Sequence, residues 1–234
     1  MLKSILVATT LLLSGPALAQ GSMQPFFGGQ IGLSGDLHVE FAVRDGAIRA
    51  WVRDHADKPV AATGKATLLA NSQKLEVVFA PDGDGLLAKA PVKSADKLVA
   101  VLALSAAGKP VSARFAQDAV VTPALAGAAL AGKPVFDKIC AECHGTALRG
   151  SDLGPPLLHN WYAPNSGHDD KQVLKTINNG SQGHMWKFGD MPKPEGLKPG
   201  QDAEALAYIR AMQAANGIDG GAAAAAGKGG HAHH

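Results

Sequence analysis

Cysteine is scarce in this chain of 234 residues, where Cys140 and Cys143 are the only two. The region before them has none, so Trp51 is not the core tryptophan of a disulfide-linked antibody-type domain. A thioredoxin-like redox pair needs a βαβ context, and a zinc site needs a second cysteine or histidine pair at ligand spacing. The sequence offers neither partner set, which argues against both of these uses of a cysteine pair.

Long apolar runs and a large net charge are also missing. Beyond the N-terminal segment, no stretch reaches the length of about eighteen apolar residues that a spanning helix requires, so we expect a mature chain that does not span a membrane. The formal net charge is only +2, and no clustered basic face of the kind that binds nucleic acid is present. Acidic and basic residues are nearly balanced in the C-terminal half, so charge indicates no particular partner.

The two cysteines belong to a C-x-x-C-H run, Cys140-Ala141-Glu142-Cys143-His144. This run is typical of the covalent attachment of c-type haem, in which the two thiols form thioethers with the vinyl groups and the histidine is the proximal iron ligand. Because the run occurs once, the sequence predicts one covalently bound haem c, held by Cys140 and Cys143 and ligated by His144.

A second axial ligand is expected at Met191, which lies after the attachment run at about the separation found in a small cytochrome domain. Pro192 stiffens the backbone directly after this thioether, because its ring fixes φ and removes an amide donor. Met185, one loop earlier and beside His184, is the competing candidate. A histidine ligand is also chemically possible.

These motifs resemble class I c-type cytochromes. In that family a helix leads into the C-x-x-C-H run, and a glycine-proline loop, a Met-Pro ligand loop and a closing helix follow, with an aromatic residue of the closing helix packed on the first helix. The loop 184–192 is also similar to that of a bacterial subgroup, which reads His-x-Trp-x-Phe-Gly-x-Met-Pro. The resemblance implies an all-α cytochrome c domain over residues 132–217. The residues that carry it, besides the attachment run, are Gly132, Phe136, Gly154, Pro155, Pro156, Leu157, Met191, Pro192, Leu206, Tyr208 and Ile209.

Several positions also have a physical reason of their own. A ligating imidazole usually donates its other ring N–H to a carbonyl, and the Gly154-Pro155 loop is the candidate source of that carbonyl. Residues 202–213 read as a helix whose apolar face should close the pocket. Only 5% of the chain is aromatic, and we expect four of these residues to surround the porphyrin and exclude water: Trp161, Tyr162, Trp186 and Phe188.

The preceding region predicts a β-sandwich over residues 22–118, joined to the helical domain by an alanine- and glycine-rich linker, 119–131. About seven short strands are expected, separated by turn signals such as Asp45-Gly46. The fold class is therefore an all-β Ig-like sandwich followed by an all-α cytochrome c domain. The clearest strand runs are 37–43, 47–52, 74–79, 98–104 and 111–115.

This β-region resembles, more loosely, small periplasmic Ig-like modules of the copper-resistance type, through residues 35–40 and 54–60. His38 and His55 could converge on a copper ion with Met23 or Asp54. The competing interpretation is that a lone strand histidine is packed or faces solvent, since a type-specific site needs an identifiable ligand set. We interpret the sandwich as a docking module.

The two ends of the chain carry compartment signals. Residues 1–19 read as a secretory signal peptide, with an uncleaved anchor as the alternative, and predict export to the periplasm. Residues 218–234 form a Gly/Ala/His tail that we expect to be disordered. Its His231, His233 and His234 could bind a divalent metal, or the tail could be solvated without a ligand.

Two functions follow from the sequence. The first is a periplasmic electron carrier with His144/Met191 ligation, which is not an enzyme and whose partners are periplasmic or membrane-bound redox proteins. The second is a periplasmic metal-binding protein, in which the sandwich or the histidine tail holds copper and the haem serves its redox state. Peroxide reduction is a more distant third, because catalysis at iron needs an open coordination position.

Overall fold

A computed structural model describes residues 23–218 of the chain. The predicted signal peptide and almost all of the predicted tail, including its three histidines, lie outside these residues. Within residues 23–218, no helix combines the length and the apolar character needed to cross a bilayer.

The N-terminal part of the chain is an antiparallel sheet of eight strands. The strands are β1 (Gln30–Ser34), β2 (Leu37–Arg44), β3 (Ala47–Arg53), β4 (Ala62–Ala70), β5 (Gln73–Asp82), β6 (Gly85–Lys89), β7 (Leu98–Ala106) and β8 (Lys109–Gln117). Their spatial order is β1-β2-β3-β6-β5-β4-β7-β8. Neighbours in the sheet are consecutive in sequence except for the pairs β3–β6 and β4–β7.

Alternate side chains of the strands form one apolar core. β7 shows the pattern clearly, because Leu98, Ala100, Leu102 and Leu104 are buried while the residues between them are more exposed. This period of two is what a strand with one buried face requires. The runs identified in the sequence correspond to β2, β3, β5, β7 and β8, and the Asp45-Gly46 signal is the β2–β3 turn, where Gly46 has φ 79°.

The sheet folds over so that its two ends face each other. Phe41 on β2 stacks on Phe115 on β8 with ring centroids 5.0 Å apart, and Gly32 on β1 lies against the same ring. A larger residue at Gly32 would displace that ring. The prediction of an all-β sandwich is confirmed, with eight strands where about seven were expected.

Helices dominate the rest of the described chain. The elements are α1 (Gly127–Ile139), α2 (Ala141–His144), a 3-10 helix (Asn160–Tyr162), α3 (Asp170–Asn179) and α4 (Gln201–Ala215). Helices α1 and α4 can cross closely because Gly132 lies against the main chain of Glu204, where a Cβ would collide. Beside this crossing the rings of Phe136 and Tyr208 pack with centroids 5.3 Å apart.

The linker predicted at 119–131 is shorter in the structure, because α1 begins at Gly127. Its N-cap, Ala126, makes no side-chain hydrogen bond, so the usual start signal is missing from the sequence. The segment before α1 is hydrogen-bonded to the β-region on one side and to the C-terminal end of α4 on the other. Val120 donates to the Ala95 carbonyl, and the main chain of Val121 exchanges two hydrogen bonds of 2.9 Å with the side chain of Asn216.

Candidate functional site

A cleft in the helical part of the chain brings the predicted haem-binding residues together. Cys140, Cys143 and His144 line it, and so do both methionine candidates, Met191 and Met185. The cleft is open to solvent, and its lining is mostly apolar. An apolar lining with a few polar groups suits a planar apolar cofactor.

The surroundings of His144 fix its ring and favour its neutral form. It ends α2 and is 9% exposed, and its Nδ1 lies 2.9 Å from the carbonyl oxygen of Pro155. The predicted source of this carbonyl is therefore confirmed. Burial lowers the pKa of His144, which favours the neutral imidazole. With Nδ1 donating to Pro155, Nε2 is the nitrogen that remains for a metal.

The two thiols have the properties of attachment residues and lack those of a redox pair. Both are free in the structure. Burial raises the pKa of Cys140 to about 11 and also raises the pKa of Cys143. Catalytic C-x-x-C cysteines have lowered pKa values, because the thiolate is their reactive form. The environment of this pair therefore argues against thioredoxin-like chemistry and fits two thiols destined for thioether bonds.

The two methionine candidates differ in how the main chain holds them. Met191 forms a two-hydrogen-bond bridge with Ser181, whose N–H and carbonyl lie 2.9 and 2.8 Å from their partners on Met191. Met185 lies in the bends that follow Gly183. The loop between the candidates is closed by Asp190, whose carboxylate accepts the Gly183 N–H at 2.9 Å. Met191 therefore has the more firmly fixed backbone of the two.

Three of the four predicted aromatic residues line the cleft: Tyr162, Trp186 and Phe188. The Trp186 indole N–H donates to the Tyr162 hydroxyl at 3.0 Å, which satisfies the polar edge of a buried ring. Trp161 is not among the lining residues, and its ring packs near His168 and His184 instead. The structure therefore does not place this fourth ring at the cleft wall.

The closing helix α4 contributes less surface than its pattern predicted. Ile209 lines the cleft, whereas Leu206 and Tyr208 are buried without lining it. Sequence reasoning missed two polar residues on the same helix. Arg210 donates to the carbonyls of Tyr162 and His168, and the buried Gln213 amide donates to the Leu157 carbonyl at 2.9 Å. These bonds hold the loops around the cleft against α4.

The candidate copper residues of the sandwich do not form a recognisable metal site. His38 is buried on β2 with its Nδ1 4.0 Å from an Asp57 oxygen, and His55 lies on an exposed turn. No group of three or more His, Cys, Asp or Glu side chains able to hold a metal occurs within residues 23–218. Metal binding by the tail histidines stays a prediction outside the described residues.

A segment just before β1 was also missed. Phe26 and Phe27 lie between the sheet and the cleft-lining loop, and their main chain is bonded to the buried Glu40. The only sequence signal was two aromatic residues followed by Gly28-Gly29.

Comparison with known families identifies part of the helical region. Residues 129–213 match the family model described as Cytochrome c. The matched segment runs from α1 into α4 and includes the attachment run and both methionine candidates. Neither the curated proteins nor the solved structures gave a match to the chain.

Proposed function

We propose that this chain, whose residues 129–213 form a cytochrome c domain behind an eight-stranded β-domain, is a one-haem electron carrier with His144 and Met191 as its axial ligands. The observation that carries the proposal is the Nδ1 contact of His144 with Pro155, because it fixes the tautomer and leaves Nε2 for iron.

The residues present fit a covalently held haem. Cys140 and Cys143 supply two thiols at the cleft wall, and Tyr162, Trp186 and Phe188 supply an aromatic lining that excludes water. When bound, the haem supplies an iron that accepts and releases one electron. The Met191 thioether favours the reduced form and raises the potential.

A filled ligand pair supports a carrier over an enzyme. Catalysis at iron needs a position open to substrate, whereas this chain offers an imidazole and a thioether at the same cleft. The Met191 main chain is pinned by Ser181, which disfavours displacement of its side chain. Exchange of single electrons needs no such displacement.

The compartment and partners are part of the same proposal. The N-terminal signal-like segment supports export to the periplasm. Bacteria attach haem covalently in that compartment, which agrees with the attachment run of this chain. Redox proteins that are periplasmic or membrane-bound are then the expected donors and acceptors.

Metal analysis with a redox-titrated optical spectrum tests the proposal. We expect one iron per chain, a reversible one-electron titration, and a haem that acidified organic solvent cannot extract. In the double variant Cys140→Ser/Cys143→Ser, the haem should become extractable or fail to be incorporated. Covalent haem in that variant, or two irons per chain, would contradict the assignment.

A further inference from the structure

The chain begins, in its described part, with a segment that is fixed to the sheet by a buried acid. We call residues 24–29 the strap. Glu40 on β2 is 0% exposed, and its carboxylate accepts the main-chain N–H groups of Phe26 and Phe27, both at 2.7 Å, and of Gly29 at 2.9 Å. Burial raises the pKa of Glu40, whereas the three N–H groups favour its ionised form. Hydrogen bonds to an ionised acceptor are about twice as strong as neutral ones.

Two buried arginines hold the carbonyl groups of the strap. Arg44 donates to the Phe27 carbonyl at 2.7 Å, and Arg53 donates to the Gln24 carbonyl at 3.0 Å. The Arg53 guanidinium also lies 3.6 Å from the centre of the Phe26 ring, a cation–π contact. Donors and acceptors of the strap main chain are thus both bonded to the sheet.

The strap contacts the loop that carries the proposed methionine ligand. The Lys187 N–H donates to the Phe26 carbonyl at 2.8 Å. The Phe27 ring meets Phe188 edge to face with centroids 6.1 Å apart, and Phe188 lines the cleft. The sheet is therefore connected to the cleft wall through two strap residues.

The strap also contacts the loop that orients His144. Gly28, with φ 68°, packs so tightly on the Pro156 ring that a Cβ there would collide with it. Pro156 directly follows Pro155, whose carbonyl fixes the His144 ring. One short segment therefore touches the two loops that carry or orient the proposed axial ligands.

We propose that Glu40 is a positioning residue for the haem ligands: by fixing the strap, it holds loop 183–192 closed over the cleft and protects the Met191 position from competing ligands. This inference rests on the proposed function and gives the β-domain a role inside the haem site. A ligand that must displace a methionine binds only as often as the loop opens, so its apparent affinity reports loop closure.

The test titrates imidazole into the oxidised, haem-loaded full-length protein. Phe27→Ala removes the contact with Phe188, and Glu40→Gln places an amide donor against strap N–H groups. We expect each change to tighten apparent imidazole binding by about fivefold or more. For Phe27→Ala the reason is that an aromatic pair contributes on this order, and for Glu40→Gln it is the loss of charge-assisted hydrogen bonds to the strap N–H groups. Phe27→Leu keeps apolar volume without the ring edge and should give a smaller increase. If Glu40→Gln fails to mature, the two Phe27 variants still test whether the strap holds the loop closed.

Leu102→Ala is the matched control. Leu102 is fully buried in the sheet core on β7, so its truncation lowers stability without touching the strap. Its imidazole affinity should equal that of the wild type. Unchanged affinity in Glu40→Gln would overturn the inference, and so would unchanged affinity in both Phe27 variants. An equal increase in Leu102→Ala would overturn it as well.

The failure of this inference is distinguishable from failure of the proposed function. If the unmodified protein lacks the weak far-red sulfur-to-iron absorption of methionine ligation, the proposed ligand pair is wrong. If that absorption is present and the strap variants bind imidazole like the wild type, the ligand pair stands and only the role of Glu40 is wrong.

Discussion

At the scale of single residues, burial decides what each ligand candidate is able to do. The cysteine pKa values are raised and the His144 pKa is lowered by desolvation, so the site keeps neutral thiols and a neutral imidazole near pH 7. A neutral imidazole is the form that binds metal. The same burial removes the thiolate character that a redox-active pair would need.

Replacing each of the two methionines in turn identifies which of them is the iron ligand. Met191→Ala should abolish the far-red sulfur-to-iron(III) absorption and lower the reduction potential, because a thioether favours Fe(II). The bridge with Ser181 is the reason that Met191 is expected to hold this position. Optical spectra of the oxidised protein and a redox titration measure both effects.

Met185→Ala is the control in the same loop, and it should keep the far-red absorption. The reverse pattern would assign the ligand to Met185. Retention of the absorption in both variants would mean that neither methionine is its source.

At the scale of elements, the short 3-10 helix depends on a neutral histidine. His159 is its N-cap, and its Nδ1 accepts the Trp161 N–H at 3.1 Å while its ring packs edge-on against Trp186. Burial lowers the pKa of His159. The unfolded chain therefore takes up this proton first as the pH falls below about 6.5, and the stability contributed by the neutral ring is lost toward acid pH.

The consequence is measurable by urea unfolding of the haem-loaded protein at about pH 7.5 and about pH 5. His159→Gln keeps an acceptor for Trp161 without a titratable ring, so the loss of stability between the two pH values should be smaller than in the wild type. His55→Gln, at an exposed turn, should behave like the wild type. An equal loss in the His159 variant would refute the contribution of this ring.

The α1–α4 crossing depends on the absence of a side chain at Gly132. Gly132→Ala places a Cβ against the Glu204 carbonyl, and relief of that clash requires the helices to separate. We expect a loss of about 1–3 kcal/mol in unfolding free energy, as for other overpacked sites. Ala131→Val, on the exposed side of α1, should cost less than about 0.5 kcal/mol. Equal costs in the two variants would show that the crossing tolerates the methyl group.

Sequence patterns predicted the elements whose cause is local. Five strands followed from alternation, α4 followed from its apolar spacing, and the Pro155 carbonyl followed from what a ligating imidazole needs. The start of α1 was misplaced because Ala126 gives no capping signal. The strap was missed because its conformation depends on Glu40, which is an ordinary strand residue in the sequence and becomes a buried acceptor only in the folded sheet.

At the scale of the whole molecule, the β-domain and the cytochrome domain meet at several points besides the strap. Arg149 donates to the Asp118 carbonyl at 2.9 Å, and Thr146 donates to Asp45 at 3.2 Å. Both Arg149 and Thr146 closely follow the attachment run. The main chain of Val121 is also hydrogen-bonded to the Asn216 side chain. Together these contacts favour a fixed arrangement of the two domains over free motion about a linker.

The fixed arrangement does not make the β-domain dependent on haem for its own folding. The buried residues of its core lie between 39 and 115, and they are continuous across β2 to β8. The strap and its Glu40 and arginine partners also lie within residues 22–118. A sheet with its own apolar core should fold alone. Residues 22–118, expressed without the cytochrome domain, should therefore unfold cooperatively in urea and give the circular-dichroism spectrum of a β-protein. Leu102→Ala in this fragment should lower its unfolding free energy by about 2–5 kcal/mol, which would show that the native core has formed. A disordered spectrum of the unmodified fragment would mean that the sheet needs the helical domain to fold.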